Sequence, residues 1–355
     1  LWQCEWKIDA EHGVQLVSIK NEQYEEISAP QQAFADCTKS VINDDSIYQN
    51  HIARGTEYWQ ARLERTIAPD IPGMNGLAIG DVNGDGLDDV YICQPYGIPN
   101  RLLVQQPDGT VIDKAAAARL NWVDPFASAL FCDFDNDGDQ DLMLAGDSKI
   151  FIYSNADSKG TFEPRHAIDF PTIPDSLVAA DYDGDGLLDV YVCGHTPQGG
   201  GQQESVLGLP VPFYDAENGQ PNILLRNTGA MQFEDVTAQV GLNENNTRFT
   251  YAASWEDYDN DGDLDLYVAN DFGRNNLYRN DGSGQFKDVA SEAGVEDVST
   301  GMSVSWADFD HDGLMDIYVG NMYSGAGNRI AYQRNFRPGE DAEKLALMRR
   351  TARGN

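Results

Sequence analysis

Five nine-residue segments of the form D-x-[D/N]-x-D-G-x-x-D, each running into a β-branched apolar stretch, constrain this chain more than any other feature. They are DVNGDGLDD from Asp81, DFDNDGDQD from Asp133, DYDGDGLLD from Asp181, DYDNDGDLD from Asp257 and DFDHDGLMD from Asp308. The stretches that follow read VYIC, LMLAG, VYVCG, LYVAN and IYVGN, and the first aspartates stand 52, 48, 76 and 51 residues apart. A period near 50 residues with several strands per unit predicts propeller blades: such a unit has two apolar faces and buries them only against its neighbours.

Each unit reads as an apolar strand, the acidic loop, a second strand, and a hairpin. The hairpin is clearest from Asn275 to Ala290, where NNLYRN meets the turn DGSG and then QFKDVA, and it recurs as NRLLVQQPDGTVIDKA from Asn100 and NILLRNTGAMQFEDVTA from Asn222. The expected fold is therefore all-β, a β-propeller of four-stranded antiparallel blades over 71–355 with short helical segments. The spacing of 76 residues places a Gly- and Pro-rich insertion at 194–221, a length that marks a functional or mobile loop. Residues 1–70 carry no acidic loop; 13–27 alternate like a hairpin, and 47–63 have helical spacing broken at Gly55. A charged helix is expected within 338–353. The chain starts at Leu1 without a methionine or signal sequence and stops inside what should be a blade, as a processed or cut chain would.

The loops have the chemistry of a cation site. Oxygens at positions 1, 3 and 5, a backbone carbonyl at 7 and a carboxylate at 9 supply six ligands, which suits Ca²⁺ better than Mg²⁺, since Mg²⁺ prefers to keep several waters. The first site is Asp81, Asn83, Asp85, Leu87 and Asp89; the second is Asp133, Asp135, Asp137, Asp139 and Asp141. The third is Asp181, Asp183, Asp185, Leu187 and Asp189; the fourth Asp257, Asp259, Asp261, Asp263 and Asp265; the fifth Asp308, Asp310, Asp312, Leu314 and Asp316. Glycine at position 6 allows the positive φ that curls the chain around an ion. An EF-hand is excluded, because Ile92, Leu144, Val192, Val268 and Val319 stand where its bidentate Glu would be and the flanks are strands. The bland alternative is an acidic turn capped by its own aspartates with no ion. Against it stands the charge: 58 acidic residues face 24 basic ones, a formal −34, and 22 of those acids crowd into the 45 loop positions. About five Ca²⁺ ions, one per loop, would relieve that repulsion.

The loops with their F-x-D or Y-x-D spacing resemble the FG-GAP or VCBS repeats of the integrin α-subunit propeller. The strings YVANDFGRNNLYRNDGSGQF from Tyr267, GMSVSWADFDHDG from Gly301 and RRTARGN from Arg349 resemble bacterial relatives of cartilage acidic protein. The resemblance covers roughly 50–355 and implies a seven-bladed propeller with structural Ca²⁺, exported and so secreted, periplasmic or at the cell surface. The function expected is recognition or adhesion toward a protein or polysaccharide.

Nucleic acid and anionic membrane surfaces would be repelled by this charge, and no apolar run of about 18 residues predicts a membrane span. No nucleophile-elbow, HExxH, P-loop or CxxC motif occurs, so no catalytic residue is assigned and an enzyme is not expected. The alternative is a glycan hydrolase or lyase using His195, Asp215 and Glu217 of the insertion. Trp255 and Trp306 read as core, Phe213, Tyr214 and Tyr323 as candidates for a binding face, and Arg274 as a structural ion-pair partner. Cys93 and Cys193 occupy equivalent buried positions, and Cys132 reads as packed too; Cys4 and Cys37 either bridge or stay free.

Overall fold

The computed structural model describes residues 2–9, 13–21, 34–42, 44–55, 58–59, 61–62, 75–195, 210–322, 331–333, 337 and 339–353. They fall into two compact units, Leu1–Val41 and Ile42–Asn355.

In the first unit β1 (Trp2–Asp9) pairs antiparallel with β2 (Gly13–Asn21). The hairpin expected within 13–27 thus forms with the strand upstream, whose Trp2, Cys4, Trp6 and Ile8 alternate with polar residues at the period of a strand. Cys4 and Cys37 are exposed free thiols.

The second unit is built from repeated sheets. The first is β3 (Leu77–Gly80), β4 (Asp89–Ile92), β5 (Arg101–Gln105) and β6 (Val111–Asp113). The second is β7 (Ser128–Cys132), β8 (Asp141–Gly146), β9 (Lys149–Asn155) and β10 (Phe162–Asp169). The third is β11 (Pro174–Ala180), β12 (Asp189–Gly194), β13 (Ile223–Asn227) and β14 (Phe233–Asp235). The fourth is β15 (Thr250–Glu256), β16 (Asp265–Asn270), β17 (Asn276–Asn280) and β18 (Phe286–Asp288). A fifth pairs β19 (Gly301–Ala307) with β20 (Asp316–Asn321) and has two strands among the described residues. Strand order follows chain order in every sheet and the pairing is antiparallel throughout, as blades require.

The leading strands β3, β7, β11, β15 and β19 lie next to one another in that order, so the sheets stack face to face. The core sits between them. Alternation in β8 sends Leu142 and Leu144 into the cluster shared with the first sheet and Met143 and Ala145 into the one shared with the third. In β16, Leu266 and Val268 face the third sheet and Tyr267 the fifth. A second strand covered on both faces must be apolar at nearly every position, which is why LMLAG and LYVAN read as continuous runs. Trp255 and Trp306 pack against these clusters, and Cys93 and Cys193 are buried within them, as expected.

Helices are short. Asp45–Ile47 continues as a π-helical turn over Tyr48–Ile52, ending before Gly55. The charged helix runs over Ala342–Arg353 and buries Met348, while Thr351 Oγ1 donates to the Val298 carbonyl at 3.0 Å.

Candidate metal centre

Each acidic loop joins the first strand of a sheet to the second, and its own aspartates fold it. In the second loop Asp133 Oδ1 accepts the Asp137 N–H at 3.1 Å and Oδ2 the Gly138 N–H at 3.0 Å, while Asp137 Oδ1 accepts the Asp139 N–H at 3.1 Å. The same three bonds recur in the other four loops. Position 6 has positive φ throughout, from 85° at Gly86 to 97° at Gly262, as the turn demands. Position 4 does too: Gly84, Asn136, Gly184, Asn260 and His311 lie between 58° and 71°. Position 4 is thus confined to residues that tolerate the left-handed region, chiefly Gly and Asn.

The position-9 aspartate is the anchor. Asp141 Oδ2 accepts the Phe134 N–H of its own loop at 3.0 Å, and Oδ1 accepts the Asn155 N–H of the third strand at 3.0 Å. Asp89, Asp189 and Asp265 make the equivalent pairs of bonds. These four carboxylates are buried, and desolvation outweighs the backbone bonds, raising Asp89 above its usual range and pushing Asp141, Asp189 and Asp265 up to about 7.

Among the described residues the side chains of positions 1, 3 and 9 converge in four loops: Asp133, Asp135 and Asp141; Asp181, Asp183 and Asp189; Asp257, Asp259 and Asp265; Asp308, Asp310 and Asp316. In each, three carboxylate oxygens lie within 4.8 Å of one another. Position 5 is outside these triads, its carboxylate turned to cap position 7. The first loop has Asn83 at position 3 and so lacks a third acid. Four DxDxxxD-type clusters could therefore hold metal ions. The donor set fits a hard divalent cation: every oxygen that accepts a backbone N–H keeps a second lone pair, and Asp135 Oδ1 is buried with no hydrogen-bond partner. The third loop differs, since Arg226 lies 2.9 Å from Asp183 Oδ2 and 3.1 Å from Asp185 Oδ2.

A model of the FG-GAP-like repeat matches residues 133–192 and 257–319, each match running from one acidic loop through the next and into the strand that follows it. Cartilage acidic protein 1 of Xenopus tropicalis is 26% identical over 270 residues, covering 69% of this chain and 40% of that protein. The human protein of the same name is 23% identical over 272 residues, covering 69% of this chain and 39% of its own length. The chain carries FG-GAP-like repeats and is a distant homologue of cartilage acidic protein 1. The match thus spans about two fifths of the length of these relatives. Among solved structures, a lectin of Agrocybe aegerita that recognises non-reducing terminal N-acetylglucosamine aligns with a TM-score of 0.40 and 19% identity, over 69% of this chain and 60% of its own.

Neighbouring repeats are tied to each other by an asparagine at the end of the third strand, a position not singled out from sequence. Asn227, whose N–H holds Asp189, donates from Nδ2 to the Phe134 carbonyl of the preceding loop at 2.8 Å. Asn155 reaches the Val82 carbonyl at 2.8 Å and Asn280 the Tyr182 carbonyl at 3.0 Å in the same way. Each asparagine thus couples its own loop's buried aspartate to the backbone of the loop before it. The recurring S-N or R-N at the end of the third strand was the available signal. In the first sheet Gln105 holds that place.

At the opposite end of the sheets, the residues considered for catalysis separate. Asp215 pairs with Arg248 at 2.8 Å and Arg274 at 3.2 Å, Glu217 with Arg248 at 3.3 Å, and Arg274 also reaches Glu296 at 2.8 Å. His195, grouped with Asp215 and Glu217 in the catalytic alternative, instead has Nε2 3.2 Å from Asp271 Oδ2 and its ring stacked 4.1 Å from that of Tyr251. The grouping of His195 with Asp215 and Glu217 does not hold: the two arginines pair with Asp215 and Glu217, and a different carboxylate meets the imidazole. Phe213 and Tyr214 pack edge to face at 5.5 Å with Phe213 exposed, while Tyr323 lies outside the described residues. Among the described residues no helix is long and apolar enough to cross a membrane.

Proposed function

We propose that this chain is part of a calcium-stabilised β-propeller, seven-bladed in the intact protein, which works outside the cytoplasm as a recognition or adhesion module for a protein or polysaccharide. The observation that supports it most is the buried position-9 aspartate, repeated from sheet to sheet, whose carboxylate is raised toward neutrality yet sits in an oxygen cluster suited to Ca²⁺. In this reading all twenty-five loop positions named above are ligands, the position-7 residues through their carbonyls. Bound Ca²⁺ supplies the positive charge that lets these carboxylates stay ionised, and the chain's residues do the rest: aspartates fix each loop, and asparagines pass that order to the neighbouring repeat. The metal has a structural role, leaving the loops at the far end of the sheets to meet a partner.

The test is binding of the Ca²⁺-loaded chain to arrays of extracellular proteins and polysaccharides. Saturable binding that is lost when Ca²⁺ is chelated and regained on its return supports recognition. Release of soluble fragments from a glycan, abolished by His195→Gln with melting unchanged, would replace it with the hydrolase or lyase reading.

A further inference from the structure

Three of the leading strands, β11, β15 and β19, share an irregularity at the end remote from the acidic loops. Pairing slips by one residue between Pro174 and Ser176, between Thr250 and Ala252, and between Gly301 and Ser303, leaving Asp175, Tyr251 and Met302 as extra residues. A bulge re-aims the side chain it carries and recurs beside binding sites. His195 and Asp271 each follow directly on the second strand of their sheet, so the third and fourth sheets each bring one bulged residue and one strand-end residue to the same place.

These four residues touch. The His195 N–H donates to Asp175 Oδ2 at 2.9 Å, its ring lies on Tyr251, and its Nε2 meets Asp271 Oδ2. Phe249 and Phe272 pack around the imidazole at 5.3 and 6.4 Å between ring centres. The group is short of donors and of positive charge. Ionised carboxylates only accept, and His195 meets one oxygen of each, Asp175 through its backbone N–H and Asp271 through Nε2. Asp271 is 5% exposed, and its Oδ1 is buried without a partner. Leaving such an oxygen unpaired is unfavourable, the more so for a charged group. The nearest arginines are committed, Arg248 and Arg274 being shared among Asp215, Glu217 and Glu296.

We propose that Asp175, His195, Tyr251 and Asp271 form a binding site for an organic cation bearing N–H donors, an alkylammonium or guanidinium group such as ends a lysine or arginine side chain. The cation supplies the missing donors and charge, and the aromatic ring of Tyr251 offers its stem a surface. A metal ion fits less well, because among the described residues the side chains that gather as tightly as metal ligands belong to the acidic loops. The assignment rests on the recognition reading, for which it names the chemistry of one contact.

The experiment is calorimetric titration of the Ca²⁺-loaded chain with Nα-acetyl-lysine methylamide and, separately, Nα-acetyl-arginine methylamide. In 0.15 M NaCl the screening length is about 8 Å, which suppresses diffuse attraction to the acidic surface. Nα-acetyl-norleucine methylamide lacks the charge and choline lacks the N–H, and both serve as controls. Saturable binding of lysine or arginine probe without binding of either control is expected, weakened about tenfold or more in Asp271→Asn and Asp175→Asn, since each removes a charged acceptor. Asp175→Asn keeps an oxygen for the His195 N–H and carries the test if Asp271→Asn melts early. Absence of saturable binding, equal binding of choline, or unchanged affinity in both variants overturns the site. If that happens while Ca²⁺-dependent binding to a polymer persists, the recognition reading survives without it; if both fail, the recognition reading falls as well.

Discussion

Strands β16 and β20 read DLYVAN and DIYVGN, yet every residue of the first is buried and none of the second is. Tyr267 is 1% exposed and its counterpart Tyr318 71%; Phe134, at position 2 of the second loop, is 0% exposed and Phe309, at the same position of the fifth, 77%. The difference is the neighbour. Strand β16 has a packed sheet on each side, whereas β20, among the described residues, is covered on the side of the fourth sheet alone. In this array the sequence of a repeat specifies the shape of a sheet, and the next repeat supplies the burial that makes it stable, as in other quasi-one-dimensional repeat proteins.

The sharpest way to break the comparison is to delete the paired aromatics. Phe134→Ala removes a side chain packed between the second and third sheets and should cost about 3–5 kcal/mol, whereas Phe309→Ala should stay within about 0.5 kcal/mol. Urea unfolding of both variants in Ca²⁺ reads this directly, and equal losses would mean that the fifth repeat is covered after all. Next comes the asparagine link. Asn227→Ala leaves the Phe134 carbonyl without its donor and should cost about 1–3 kcal/mol. Gln105→Ala, at the equivalent place in the first sheet, should cost less than about 0.5 kcal/mol.

The same comparison separates what the sequence made legible from what it did not. The loop period, the strand order within a sheet and the convergence of positions 1, 3 and 9 were readable, because all are local in sequence or repeat at fixed spacing. The second duty of Asp141, Asp189 and Asp265, which hold the third strand by its N–H, needed the register of that strand. The reach of Asn227 to Phe134 spans 93 residues and follows only from the stacking of sheets. His195 and Asp271 meet because two sheets are adjacent and two inner strands bulge, neither of which leaves a mark on hydrophobic period. His195 therefore looked like a loop residue beside glycines.

A smaller effect concerns pH. With the metal stripped, the raised pKa values of Asp141, Asp189 and Asp265 mean that the folded chain binds protons more tightly than the unfolded one between about pH 4 and 7. That contribution is present at low pH and lost as pH rises through about 7, so the melting temperature of the stripped chain should fall by roughly 5 °C or more from pH 5.5 to 8. Saturating Ca²⁺ should reverse the trend, since it binds the ionised form. A stripped chain that instead gains stability over that range would show the aspartates to be ionised without metal. The smallest effect is at Arg226, an exposed ion-pair partner of the third loop. Arg226→Gln should tighten Ca²⁺ there by at most about fivefold, the range of a surface pair, measured by competition with a calcium indicator.

The most direct measurement is thermal unfolding of the purified chain after chelation and again after Ca²⁺ is restored, with elemental analysis of the metal retained. Several Ca²⁺ per chain and a cooperative, reversible rise in melting temperature, diminished in Asp261→Ala and Asp312→Ala, are the predicted result. Unchanged melting with no bound metal would contradict the account and reduce the loops to acidic turns held by their own side chains.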